Sequence, residues 1–289
     1  MKWSIGDIKV TRIQEVVFPE FSDVIPAATP DVVKQIKWLF PHFVTEDGHL
    51  SLSIHSLIVE TPDNKLVVDT CIGNDRAREP FDGFHMLATN YMRDMLAEGY
   101  TPEEMDYVLC THLHVDHVGW NTQLVNGKYI PTFPNAEYLM GKQDLDFWGN
   151  IDEASDIDFM QLQRGVFEEC LRPILDAGLA RPVEAPTDVC GGVSLISTPG
   201  HTPGHCSVLL ESKGETGLIT GDFIHHPIQF HDPALVSPFD VDNDEAVATR
   251  RKIFGEYADT PTLIIGTHFA GPTAGTLVSE DGTYRLIVE

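Results

Sequence analysis

Apolar and polar positions divide the chain into two stretches that each mix strands with helices. In the first, Ile8–Val17, Leu50–Glu60 and Leu66–Asp69 read as β-type segments, and Thr61-Pro62-Asp63-Asn64 supplies the turn of a hairpin between the last two. A helical pattern follows over about Met86–Glu98, and the apolar run Tyr107–Cys110 predicts a buried strand. In the second, from about Pro182, strands are expected at Val193–Ser197, Cys206–Leu210 and Gly217–Thr220. A helix at about Asp244–Tyr257, a strand at Leu263–Gly266 and a final hairpin turning at Glu280-Asp281-Gly282 complete it. Strands mixed with helices in both halves suggest two sheets covered by helices.

The stretch Gly119–Arg181 reads differently. Asp144, Asp146, Asp152, Glu153, Asp156 and Asp158 crowd one segment, and a helix is expected from about Phe159 to Arg172, where Pro173 would kink or end it. Residues 1–289 are expected to form a single domain in which about 119–181 is a helical lid insertion.

Composition narrows the function classes. The 289 residues carry 44 Asp+Glu against 19 Lys+Arg, a net charge of −25, without a cluster of Lys or Arg. Such a chain repels a phosphate backbone, so nucleic acid is not an expected partner. No apolar run approaches the roughly 20 residues of a spanning helix, so no membrane is expected. Nothing near Met1 resembles a secretion signal, which makes the cytoplasm the expected location. Five cysteines, Cys71, Cys110, Cys170, Cys190 and Cys206, are scattered and form no CxxC pair. They are expected to be reduced and mostly buried rather than disulfide-bonded or metal-binding.

The chemistry is concentrated in Thr111-His112-Leu113-His114-Val115-Asp116-His117, immediately after the apolar run. Residues two apart in an extended segment face the same way, so His112 and His114 converge while Leu113 turns to the core. Asp116 and His117 fall where the chain must turn, and can point at a second position. A core does not accept so many polar groups, each costing about 1–3 kcal/mol when unpaired, so a metal site is the expected reason for them. Three further candidates each follow a predicted strand beside Gly or Thr: His201 in Thr198-Pro199-Gly200-His201-Thr202-Pro203-Gly204-His205, Asp222 in Thr220-Gly221-Asp222, and His268 in Gly266-Thr267-His268. Strand ends are where open α/β sheets present their sites.

In order and spacing, His112-x-His114-x-Asp116-His117, His201, Asp222 and His268 resemble the ligand motifs of the metallo-β-lactamase-fold hydrolases, over about Leu50 to His268. The resemblance implies an α/β (α+β) fold, a four-layer αββα sandwich, with two divalent metal ions, usually Zn2+, although Mn, Fe or Co also suit nitrogen and oxygen ligands. It implies that His112, His114 and His201 hold the first metal, that Asp116, His117 and His268 hold the second, and that Asp222 bridges them. Asp69 matches the first motif of the superfamily and is expected to accept a hydrogen bond from the far nitrogen of a ligand histidine. His205 is expected either to orient a loop or a ligand or to touch substrate. A hydroxide shared by two metals would attack an electrophilic carbonyl or phosphoryl centre, with Asp116 carrying a proton to the leaving group.

Departures from other branches narrow the resemblance. His114 stands where a redox di-iron member would carry Glu, so hydrolysis is expected rather than electron transfer, and the presence of Asp222 speaks against antibiotic hydrolysis. The acyl-homoserine lactonases are expected to carry Tyr three residues after the bridging Asp, where this chain has His225. Together with Gln229-Phe230, this is similar to the branch of methyl-parathion hydrolase and related lactonase-like enzymes, and His225 is expected to donate a hydrogen bond to a substrate oxygen. Trp38, Phe40, Phe43, Trp120, Phe147 and Trp148 are candidate walls for a neutral, partly apolar small molecule. The expected activity is hydrolysis of a neutral ester, lactone or phosphotriester. The alternatives are a thioester hydrolase of glyoxalase type and a non-catalytic metal-bound binding protein. The resemblance also implies a homodimer.

Overall fold

The computed structural model describes residues 1–152 and 157–288. Along the chain run β1 (Lys2–Ile5), β2 (Ile8–Phe18), β3 (Leu52–Glu60), β4 (Lys65–Val68) and β5 (Tyr107–Leu109). The short pair β6 (Thr122–Val125) and β7 (Lys128–Pro131) precedes β8 (Glu137–Gly141) and β9 (Ala180–Val183). The remaining strands are β10 (Thr187–Cys190), β11 (Val193–Ser197), β12 (Cys206–Ser212), β13 (Glu215–Ile219), β14 (Leu263–Ile265), β15 (Ala274–Glu280) and β16 (Thr283–Ile287). They build two seven-stranded sheets, β1-β2-β3-β4-β5-β8-β9 and β10-β11-β12-β13-β14-β15-β16, and the two-stranded β6-β7. The expected mixture of sheets and helices is what the chain forms.

The chain divides into two compact units. The first comprises Met1–Ser4, Ile8–Glu15 and Ile54–Glu184; the second comprises Ile5–Asp7, Val16–Ser53 and Ala185–Glu289. In the first unit β4, β5, β8 and β9 run parallel, in the register Val68↔Leu109↔Leu139 and Leu139↔Arg181. Beyond their first residues β4, β5 and β8 are apolar and buried, as parallel strands inside a sheet require, whereas the edge strand β9 is largely half-buried or exposed. In the second unit β13 and β14 are the parallel pair, Ile219 opposite Ile265. The 15-residue helix Asn243–Tyr257 lies between them in sequence, capped by the Asp242 carboxylate, which accepts from the Glu245 amide at 2.9 Å. Its buried Ile253 and Phe254 join Phe43, Phe230 and Phe269 in the unit's core.

Local geometry revises three expectations. The helix expected from Met86 begins only at Tyr91 and ends at Ala97, because Met86 has φ +49°, a left-handed conformation no helix tolerates. The strand expected from Leu50 starts at Leu52; Leu50 makes only an isolated bridge with Val44. Pro173 does not end the helix before it. The α-helix Asp158–Val166 passes into a π-helical turn, Phe167–Leu171, and Pro173 sits in the first turn of the helix Arg172–Asp176, where its missing N–H leaves no bond unmade. The stretch 119–181 holds these helices and the helix Lys142–Trp148, and also β6 to β8 and the start of β9. Glu153 and Asp156 of its acidic segment lie outside the described residues.

Two polar groups, one half-buried and one fully buried, tie loops to these frames. In the first unit the Glu15 carboxylate accepts from the Ile72 and Gly73 amides at 2.7 and 3.3 Å, the Trp120 indole at 2.6 Å and the Thr89 hydroxyl at 3.2 Å. Burial pushes its carboxyl up and those four donors pull it back. In the second unit His226 is fully buried. Its Nε2–H donates to the Phe43 carbonyl at 2.8 Å, and Nδ1 accepts from the Ile228 amide at 3.0 Å.

Burial lowers the His226 pKa from 6.5 to about 4, against the Phe43 carbonyl, which raises it. A depressed folded-state value means that stability is complete above pH 6.5 and is lost as the pH falls toward 4, by about 3 kcal/mol from this group alone. Denaturant titrations across that window should show a steeper acid loss in the native chain than in His226→Gln. Equal slopes would contradict the assignment.

Candidate metal centre

In the first unit the motif hangs on a pair of parallel strand ends. β4 delivers Asp69 and β5 delivers Thr111, so the two meet side by side: the Thr111 amide and hydroxyl both donate to the Asp69 carboxylate at 2.8 Å. The turn that follows closes with the His117 amide on the His114 carbonyl at 3.1 Å. It is strapped to the loop after β4 by Thr70 N–H on the His117 carbonyl and Gly119 N–H on the Cys71 carbonyl, both at 2.7 Å. The strand ends at Leu109, yet the expected alternation survives. Leu113 is fully buried, and the rings of His112 and His114 converge with centroids 4.7 Å apart. His117 stands 4.0 Å from His112 by the same measure.

Each of two rings has its Nδ1 committed. His117 Nδ1–H donates to Asp69 at 2.8 Å, and His112 Nδ1 shares a 3.1 Å hydrogen bond with the Thr111 hydroxyl. His117 Nε2 lies 3.7 Å from Asp116, the least buried member of the set. Trp148 and Phe159 pack on the His114 ring at 5.1 and 5.2 Å.

The second unit repeats the device. β13 and β14 end together, so Asp222 and His268 emerge as neighbours, with His268 Nε2 at 3.0 Å from the Asp222 carboxylate. The other Asp222 oxygen accepts from the Thr267 hydroxyl at 3.1 Å. His268 Nδ1–H donates to the Ser53 carbonyl at 3.2 Å, and His201 Nδ1–H donates to Asp240 at 2.8 Å. His201 Nε2 and His225 Nε2 stand 3.8 and 3.5 Å from Asp222 Oδ2, the oxygen that faces His268. Among the described residues both nitrogens of His225 are buried without a hydrogen bond, and burial drives its pKa from 6.5 down to about 3, so the ring is neutral.

His205 holds the Asp222 loop. Its Nε2 accepts from the Asp222 amide at 2.7 Å, and Nδ1 pairs with the Thr198 hydroxyl at 2.8 Å. Thr198 in turn meets Ser207, whose hydroxyl donates to the Thr220 carbonyl at 2.6 Å. That direction of donation puts the His205 proton on Nδ1 and leaves the ring no nitrogen for anything else. Gly221 has φ +60°, and a Cβ there would stand 2.5 Å from His205 Nε2.

Two residues of this architecture had no role assigned by any motif. Asp240 lies far from every candidate in sequence, within an ordinary Pro238-Phe239-Asp240 turn. Gln229 was noted only as part of a pattern; its side-chain oxygen accepts from the His225 amide at 2.8 Å and so positions that residue. The aromatic candidates scatter. Trp38 and Phe40 line a separate cleft of about 750 Å3 with His42, Glu280 and Arg285. Phe43 belongs to the second unit's core, Trp120 stacks on Tyr91, and Phe147 packs edge-on against Trp148, which reaches His114.

The donor set is imidazole nitrogen and carboxylate oxygen, with the far nitrogen of four rings engaged as metal-binding histidines require; it fits divalent transition metals. Burial pushes the thiols of Cys71, Cys110 and Cys170 up, leaving them protonated and outside this chemistry.

The chain belongs to the metallo-beta-lactamase superfamily, which matches residues 51–268 and so includes all seven ligand-type residues of both sets. An N-acyl homoserine lactonase of Bacillus cereus is 29% identical over 209 residues, 68% of this chain and 74% of that one. A probable metallo-hydrolase of Mycobacterium tuberculosis is 26% identical over 61% of this chain and 58% of its own length. Among solved structures, the hydrolase AbOPH of the beta lactamase superfamily aligns with TM-score 0.81 at 25% identity, covering 100% of this chain and 96% of that one. AidC, a dizinc quorum-quenching lactonase, aligns at 0.79 with 22% identity over 100% and 97%. The fold is the metallo-β-lactamase fold, and relatives named as lactonases and metallo-hydrolases are consistent with a lactonase-like branch of that superfamily.

Substituting Gly221→Ala forces a Cβ into His205 at a left-handed position and should cost about 1–3 kcal/mol of stability. The double variant Gly221→Ala/His205→Ala should lose less than the sum of the two single variants, measured by denaturant unfolding. Strict additivity would mean that the two residues do not oppose each other.

Proposed function

We propose that the protein is a dinuclear-metal hydrolase, loaded with zinc, that acts on a lactone, a neutral ester or a phosphotriester.

 As the resemblance implies, His112, His114 and His201 would hold one ion and Asp116, His117 and His268 the other, with Asp222 shared between them. When bound, the ion pair supplies Lewis acidity that makes water acidic enough to attack at neutral pH. The residues supply direction. Asp116, the most exposed of the set, takes the proton released in the attack and passes it to the leaving oxygen. The neutral His225 imidazole donates a hydrogen bond to the substrate oxygen on which charge develops. Trp148 and Phe159 form an apolar wall beside His114, suited to an acyl or aryl group and to the covering role expected of 119–181.

The observation that carries this reading is the repeated strand-end arrangement, in which the Nδ1 of His112, His117, His201 and His268 is engaged and the Nε2 lone pair remains for a metal. The names of the relatives favour a lactone as the first substrate to try: one is an N-acyl homoserine lactonase, and AidC was solved with the product N-hexanoyl-L-homoserine. His225, in place of the Tyr expected in the homoserine lactonases, favours keeping phosphotriesters and aryl esters in the same panel.

Purified protein should contain two equivalents of metal by elemental analysis, and chelation should abolish turnover of N-acyl homoserine lactones, γ-lactones, aryl esters or paraoxon until metal is restored. Asp222→Ala should lower kcat/KM by roughly 100-fold or more. His225→Phe should lower kcat by about 10²–10³ while metal content is unchanged. Full activity in Asp222→Ala would defeat the bridging role, and a metal-replete chain inert across the whole panel would favour a binding protein.

A further inference from the structure

Asp240 and Arg250 form a buried ion pair that no recognised motif contains. Both side chains are fully buried, with an Arg250 Nη1 to Asp240 Oδ2 distance of 3.7 Å. Asp240 Oδ1 accepts from His201 Nδ1–H at 2.8 Å, and Oδ2 accepts from the Ser237 amide at 3.1 Å. Arg250, on the helix Asn243–Tyr257, donates through Nε to the Pro233 carbonyl at 2.9 Å and through Nη1 to the Phe223 carbonyl at 3.2 Å. Phe223 directly follows Asp222. One guanidinium therefore reaches the loop of Asp222 through the backbone and His201 through a carboxylate.

We infer that Asp240 is a positioning residue that holds His201 as the Nδ1–H tautomer, and that Arg250 keeps Asp240 in place while tying the Asp222 loop to the same point. This rests on the reading of His201 as a metal ligand. The physical grounds are twofold. A buried carboxylate is costly unless it is paired, and Asp240 has a cation, an amide and an imidazole N–H as partners. A ring whose Nδ1–H is so committed presents an Nε2 lone pair, in the way that Asp69 commits His117 in the first unit.

The arrangement also explains the Thr198–His205 loop. Gly200 has φ +122°, and a Cβ there would lie 2.2 Å from the Ala246 amide, so the loop bearing His201 lies directly on the first turn of the helix that carries Arg250. The Val241 and Asp242 amides donate to the His201 and Gly200 carbonyls at 3.0 and 2.9 Å. The ring of His201 is thus held through its own backbone and through Nδ1 by one continuous piece of chain.

The test compares zinc affinity, by competition with a chromophoric chelator, in the native chain, Asp240→Asn, Asp240→Asn/Arg250→Met and His201→Ala. Asp240→Asn should weaken zinc binding by about 10–100-fold. The double variant, which leaves no unpaired buried charge, should recover thermal stability without recovering affinity, separating positioning from folding. Native affinity in a folded Asp240→Asn or double variant would overturn the inference while leaving the site reading intact; native affinity in His201→Ala would overturn that reading itself. A readout that needs no variant is the imidazole nitrogen spectrum of the metal-free native chain, where His201 should carry its proton on Nδ1. A proton on Nε2 would overturn the inference.

Discussion

An imidazole has two nitrogens, and one of them becomes a dependable ligand only when the other is committed elsewhere. This constraint organises both units. Asp69 and Thr111 commit His117 and His112 in the first, and Asp240 and the Ser53 carbonyl commit His201 and His268 in the second. Each acceptor sits in a buried place where its own oxygens need donors, so satisfying the acceptor and aiming the histidine are the same event. The polar groups are numerous because each one depends on the next.

Parallel strand pairs make the arrangement buildable. In an antiparallel pair neighbouring chain ends point in opposite directions, whereas β4 with β5 and β13 with β14 release their chains at the same edge. Asp69 meets Thr111, and Asp222 meets His268, because of that geometry and not because the residues are close in sequence. Small residues then allow the close approach: Gly221 leaves room for the His205 ring, and Gly200 lets its loop settle on a helix backbone.

The segment after Asp222 shows how a loop acquires a chemical character. Gln229 folds back on the His225 amide, His226 anchors to the Phe43 carbonyl, and Phe230 enters the aromatic core with Phe254 and Phe269. With its backbone held at both ends, His225 is left buried and uncharged beside Asp222. A neutral donor in that place would discriminate less by charge than an ammonium or guanidinium, which accords with the neutral substrates proposed for this chain.

The seven ligand-type residues were legible in the amino-acid order, because so many histidines and aspartates next to apolar runs and glycines have no place in an ordinary core, and their spacing is that of a recognisable superfamily. The strands that patterning predicted were legible to within a residue or two, but β1 and β6 to β10 were not among them, and the stretch expected to be a helical insertion holds several of these. Asp240 and Arg250 were not: an aspartate in a turn and an arginine in a helix are commonplace, and only folding buries the two together against His201. The start of the helix at Tyr91 and the passage through Pro173 also escaped, since a left-handed Met86 and a π-turn are settled by packing rather than by local propensity. Local order specifies which side chains are available for chemistry; tertiary burial decides which nitrogen of each ring faces it, because only there must every polar group find a partner.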